Sequence, residues 1–149
     1  MPQTLVIVPC GGQKVWEKNP NHGPALAQDA YTGAPFRVNR AYAESVGDAW
    51  VILSAKYGFI LPTFTIPEPY NVTFKRRTDA TATVDQLRRQ IRELALDRYP
   101  HIIGLGGKEY RAMIEAAFAD AACALSFPFS GLPIGKMMAA TKAAMTEVR

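Results

Sequence analysis

The sequence predicts an α/β fold: a single three-layer domain, residues 1–149, around a mostly parallel sheet of about four strands. Three observations predict it. Four short apolar runs lack polar alternation, as strands covered on both faces do. Segments of helical period lie between those runs. A chain of 149 residues, 48% hydrophobic and 20% charged, also suffices for one compact core.

The first run, Leu5–Val8, ends in Pro9-Cys10-Gly11-Gly12. The first helix covers Phe36–Val46, where Phe36, Val38, Ala41, Tyr42 and Val46 are apolar, and stops at Gly47-Asp48. Trp50–Leu53 is the second strand. From Leu61 to Asp79 three prolines and no helical period mark a loop longer than usual. An ordered functional loop and a disordered insert both fit that stretch. The next helix runs from about Thr83 to Arg98. Thr83-Val-Asp-Gln86 has the form of a capping box, and Val84, Leu87, Ile91 and Leu94 recur at helical spacing. Ile102–Leu105 is the third strand. A helix follows Gly106-Gly107, with Tyr110, Ile114, Ala117 and Phe118 on its apolar side. Cys123–Phe127 is the fourth strand, and the last helix starts near Ile134-Gly135. The first strand is expected at the centre of the sheet.

Composition narrows the function classes. A net charge of +4 and a pI near 9.2 suit an anionic partner, DNA or a nucleotide; a merely basic surface gives the same totals. Two cysteines, Cys10 and Cys123, make neither a disulfide framework nor a zinc quartet, so reduced thiols in a cytoplasm are expected. No apolar run approaches the ~20 residues of a membrane span. No His/Asp/Glu cluster has ligand spacing, so neither metal nor cofactor is expected.

Parallel sheets bind ligands beyond the carboxyl ends of their strands. That rule brings "PCGGQK", "SAKYG", "GGKEY" and "FPFSGLPIGK" to one rim, each with a lysine. Gly11 and Gly107 let backbone N–H groups approach an anion. Lys14, Lys56 and Lys108 supply positive charge. Ser54, Lys56 and Tyr57 offer a hydroxyl, a cation and a stacking face; Tyr57 packed on the sheet edge is the other reading. Downstream "EPYN" offers Glu68, Tyr70 and Asn71. Apolar neighbours Ile66, Pro67 and Pro69 could raise the Glu68 carboxyl and suit it to acid–base work, or Glu68 is a solvated loop residue. Cys10 lacks an evident histidine base. His22 lies in a loop and His101 at the far end of the third strand, so Cys10 reads as a small side chain packed beside the ligand. Cys123 reads as core. "FKRR", Phe74–Arg77, is a basic patch that either grips a phosphate backbone or is solvated surface.

In this order "PCGGQK", "AYTGAPF" (with Tyr31), "ILSAKYGFI", "EPYN", "GGKEY" and "GLPIGK" resemble a bacterial and phage family similar to the peroxide-stress protein YaaA. The resemblance spans nearly the whole chain. Its opening P-C-x-x-x-K also looks like domains attached to archaeal tRNA-guanine transglycosylases, which are similar to the uracil-DNA glycosylase fold. The resemblance implies a Rossmann-like domain that recognises a nucleobase, with possible cleavage of an N-glycosidic bond. The departure is chemical. The first loop here holds Cys10 and Gln13 where the glycosylases have a water-activating Asp or Asn, and Phe127-Pro128-Phe129-Ser130 lacks their histidine. The expected roles are therefore Glu68 or Asn71 positioning water, Lys14 and Lys56 holding phosphate, and Tyr57 and Tyr70 stacking the base. Cys10, Gly11, Tyr31, Ser54, Gly107 and Lys108 complete the substrate surface. The alternative is a DNA- or nucleotide-binding protein without catalysis, in stress response or phage defence.

Overall fold

The computed structural model describes residues 3–148, with side chains as far as Met145. In chain order the elements are β1 (Thr4–Pro9), α1 (Val15–Lys18), β2 (Ala25–Leu26), α2 (Ala27–Ala30), α3 (Ala34–Val46), β3 (Ala49–Ser54), β4 (Gly58–Ile60) and β5 (Thr65–Ile66). Then follow α4 (Val84–Glu93), a 3₁₀ turn (Leu96–Arg98), β6 (His101–Gly104), α5 (Lys108–Ala117), β7 (Ala124–Ser126) and α6 (Ile134–Val148).

The main sheet has the order β4-β3-β1-β6-β7. β1 is central as expected, and it pairs parallel with β3 and β6; β6 pairs parallel with β7. Alternate side chains of β1 enter two apolar clusters. Leu5 and Ile7 pack with Leu87 and Ile91 of α4 and Ile114 of α5. Val6 and Val8 pack with Phe36 and Ala43 of α3, with Met145 of α6 at the margin. This double cover explains why the strand lacks polar alternation. Among the described residues no helix is long and apolar enough to cross a membrane.

The sheet is mixed rather than four-stranded. β4 is a fifth strand, antiparallel to β3, with Leu53 opposite Phe59. Its turn is Ala55–Tyr57, closed by Gly58 at φ +76°. A side chain at residue 58 would run into the Gln90 amide. That amide fixes the turn, accepting from Phe59 N–H and donating to the Tyr57 carbonyl, both at 2.8 Å.

The Thr83–Arg98 helix is shorter than its periodicity suggests. Thr83 caps it, its Oγ1 accepting from Gln86 N–H at 3.1 Å. The helix ends at Glu93, and Ala95 turns left-handed at φ 52°. The break turns the chain so that Leu96 and Tyr99 become buried before β6 begins. At the other edge β7 covers only Ala124–Ser126, with Ala124 and Ser126 exposed, so it is an edge strand and not a buried one. Cys123 precedes β7 and is half-buried against the core margin rather than within it.

The long loop is ordered by a small second sheet, in which β2 and β5 pair antiparallel. Backbone bonds from Ala27 N–H to Phe64 O (2.7 Å) and Gln28 N–H to Pro62 O (2.9 Å) extend the link. This pairing brings the segment around Tyr70 against Tyr31.

Candidate functional site

The chain leaves β1 for β3 on one side and returns to β6 on the other, so the order in which strands are added reverses between the parallel neighbours β1 and β6. The loops after these two strands diverge, and a cleft of about 780 Å³ opens there. Cys10–Gln13 and Gly106-Gly107 form its rim, and Phe36 and Asn39 of α3 stand on one side. Met137 and Met138 of α6 and Thr73–Lys75 of the long loop complete the lining. The size falls in the range of small-molecule pockets.

Gly106 shapes this rim. Its φ is +110°, and an added Cβ would lie 3.1 Å from carbons of both Pro9 and Tyr110. Gly107 caps α5 with no side-chain bond, so the first N–H groups of that helix face the rim. Glu109 folds back towards them, its Oε2 3.5 Å from where a Gly107 Cβ would be.

Cys10 joins the cleft to a second group of residues. Its N–H continues the sheet by donating to Leu53 O at 3.0 Å. The Tyr110 hydroxyl donates to the Cys10 carbonyl at 3.2 Å, which leaves the Cys10 thiol, at 3.3 Å, to donate to the hydroxyl oxygen. Burial pushes the Tyr110 hydroxyl far above its ordinary pKa, with Cys10 adding to the effect. Tyr110 also meets Phe74 edge to face, ring centres 5.4 Å apart.

Beyond Cys10, Tyr31, Tyr70 and Ser54 form a chain of hydroxyls. Tyr31 bonds to Tyr70, and Tyr70 to Ser54 Oγ at 2.9 Å. Ser54 Oγ also accepts from Lys56 N–H (3.2 Å) and Tyr57 N–H (3.1 Å), which sets the hairpin turn. Burial pushes both tyrosine hydroxyls well above their ordinary range. The Lys14 ammonium stands 4.4 Å from the Tyr70 ring centre and the Lys56 ammonium 5.8 Å from it. Lys14 is only 8% exposed. Among the described residues neither lysine is in an ion pair. Burial pulls the Lys14 ammonium below its ordinary pKa, with Cys10 and Glu17 acting the other way.

The expected site residues therefore fall into three sets. Cys10, Gly11 and Gly107 line the cleft. Lys14, Tyr31, Ser54, Lys56, Tyr57 and Tyr70 assemble beside it, with Tyr57 edge-on to Tyr70 at 5.4 Å. Glu68, Asn71 and Lys108 are exposed and outside the cleft lining. Of "FKRR", Phe74 is buried and Lys75 lines the cleft, while Arg77 donates to Ala82 O and Met113 Sδ. His22 is exposed and bonds Gly23 O; His101 opens β6 at the end of the sheet remote from Cys10. Among the lining residues that escape the sequence reading, two matter most for chemistry. Glu109 is the one carboxylate on the cleft lining, hidden in a motif read for its glycines and lysine. Asn39 is buried on the apolar face of α3, three residues after Phe36, and its polarity at that position is the signal. Among the described residues no group of three or more His, Cys, Asp or Glu is placed to hold a metal.

Residues 5–143 match the model of a family of unknown function, DUF6884. The chain is also similar to an uncharacterized protein of Bacillus subtilis (strain 168), YfjM. The two are 38% identical over 144 residues, covering 96% of this chain and 95% of that protein. No solved structure matches. These matches do not extend to YaaA or to uracil-DNA glycosylases.

Proposed function

The chain belongs to DUF6884, a family of unknown function, and from that premise we propose that it binds a phosphate-bearing nucleobase ligand, a nucleotide or DNA, at the β1/β6 crevice. The observation that carries this reading is Lys14, a buried cation beside the cleft that is in no described ion pair, with only the more distant Glu17 carboxylate favouring its charge. Buried charges are ordinarily paired, and a ligand phosphate supplies the missing partner. Lys56, on the same tyrosine ring, adds a second cation. The glycine-rich rim and the start of α5 offer N–H donors. Helices on both faces of a largely parallel sheet support the finer kinship as well, a three-layer Rossmann-like domain of the YaaA and uracil-DNA glycosylase kind.

Hydrolysis of an N-glycosidic bond is the reaction that kinship adds. It needs a group that positions water and faces the developing positive charge on the sugar. Glu68 and Asn71 are the sequence-based choices, and Glu109 is the carboxylate that lines the cleft. The exposure of Glu68 and Asn71 favours the second reading, binding without catalysis.

The test is a titration with nucleotides and labelled DNA, alongside an abasic-site assay on modified and unmodified strands. Lys56→Ala is expected to weaken binding by about 1–3 kcal/mol with little change in melting temperature. On duplex DNA it should make the salt slope shallower by about one log–log unit. Unchanged affinity with earlier melting would remove Lys56 from the site. Base release that Glu109→Gln abolishes and Glu68→Gln spares would assign the reaction to the cleft. Binding with no abasic product on any strand would leave the binding reading alone.

A further inference from the structure

Asn39 is the polar exception on the buried side of α3. The other buried residues of that helix are Phe36, Val38, Tyr42 and Ala43. Asn39 is itself 8% exposed. Buried side-chain amides are almost always hydrogen-bonded, because desolvating an unpaired amide is costly. The Asn39 amide bonds to no described residue, yet no fully enclosed side-chain nitrogen or oxygen is left without a partner. Its polar end therefore opens onto a cavity. It borders the main cleft and, with Gly106, also a smaller recess formed with Phe129 and Met137. An aliphatic side chain would fill this position with no amide to satisfy, so the amide is better explained by a partner that arrives with a ligand.

We propose that Asn39 is the specificity-determining residue of the cleft, reading the hydrogen-bonding edge of a nucleobase whose ring lies between Tyr110 and the α6 methionines. The proposal rests on the nucleobase reading above and deepens it. An amide presents one donor beside one acceptor. It therefore pairs with a base edge that has an acceptor beside a donor; each of the four bases has such an edge, and they differ in which ring positions carry it. The apolar walls, Phe36, Met137 and Met138, supply contact area without selecting among bases. Discrimination is left to Asn39, the buried amide of the lining; the Gln13 amide also lines the cleft but is exposed.

The experiment titrates the four ribonucleoside 5′-monophosphates into wild type, Asn39→Asp and Asn39→Leu, with a melting curve for each protein. Wild type is expected to rank the four bases over a range of about ten- to a hundredfold, the usual span of one bidentate contact. Asn39→Leu should flatten that ranking towards equality. Asn39→Asp presents two acceptors, so it should shift the preference towards guanine, the one base with two adjacent donors, N1–H and N2–H. If Asn39→Asp does not fold, the leucine variant decides the matter by itself. Retention of the wild-type ranking in a folded variant overturns the role of Asn39 and leaves phosphate binding standing. A wild type that binds all four equally does the same. A wild type that binds none of the four, with or without added DNA, instead removes the nucleobase reading itself.

Discussion

The Lys14 ammonium lies 4.4 Å from the centre of the Tyr70 ring and 3.4 Å from the Gly12 carbonyl, its one hydrogen-bond acceptor among the described residues. A ring face and one long bond offset only part of the desolvation of a cation. Because the folded-state pKa is depressed, the unfolded chain holds more protons between that value and 10.5. Stability contributed by this lysine therefore rises with pH through that interval. Lys14→Met is expected to melt at or above the wild-type temperature near neutrality, while losing about 1–3 kcal/mol of affinity for a phosphate ligand. Earlier melting with unaltered affinity would make Lys14 a structural cation.

Asp48 supports the start of β1. Its Oδ2 accepts from Gln3 N–H and Thr4 N–H, each at 2.9 Å, and these bonds hold its carboxyl below the ordinary 3.8. A depressed carboxyl contributes stability that is present above the ordinary value and lost as pH falls through the folded one. Asp48→Ala should melt earlier than wild type at pH 7. The gap should close as both are acidified below 3.8. Parallel curves down to the acid limit would count against it.

Gln90 ties α4 to the hairpin that carries Lys56 and Tyr57. Gln90→Leu keeps the bulk but strands the Phe59 N–H and the Tyr57 carbonyl. Urea titration should show a loss of about 1–2 kcal/mol, at the low end because the residue is half-buried. A neutral result would mean that water replaces both bonds.

Gly106→Ala combines backbone strain with close contacts to Pro9 and Tyr110. We expect a destabilisation of about 1–3 kcal/mol by equilibrium unfolding, together with weaker ligand binding. Full stability would show that the loop relaxes at little cost.

The parallel sheet and its central strand were legible because Leu5–Val8, Trp50–Leu53 and Ile102–Leu105 are unbroken apolar runs too short for buried helices, which leaves strands covered on both faces. β4 was not. Gly58–Ile60 is three residues long, and its Phe59 N–H is held by a side chain 31 positions away, which no local pattern records. The break at Ala95 is likewise set by the burial of Leu96 and Tyr99, against a periodicity that favours a longer helix. The strand-end rule brought Cys10, Gly11 and Gly107 to one rim, and all three line the cleft. The meeting of Tyr31 with Tyr70 depends on the β2/β5 pairing, two residues per strand and invisible to periodicity. Asn39 could have been noticed as a polar residue on an apolar helix face.

The place of β1 at the sheet centre also constrains how the chain is made. Leu5 pairs on one side with Ala49 and on the other with Ile102, 97 positions later. On the ribosome, at roughly 5–20 residues per second, about 5–20 s pass between the synthesis of these two partners. Throughout that interval this apolar strand has at least one unpaired edge. The β1–β3 pair can form early, but the sheet cannot close before β6 leaves the exit tunnel. A chain stalled before Ile102 would present that edge to whatever chaperone or neighbouring chain reaches it first.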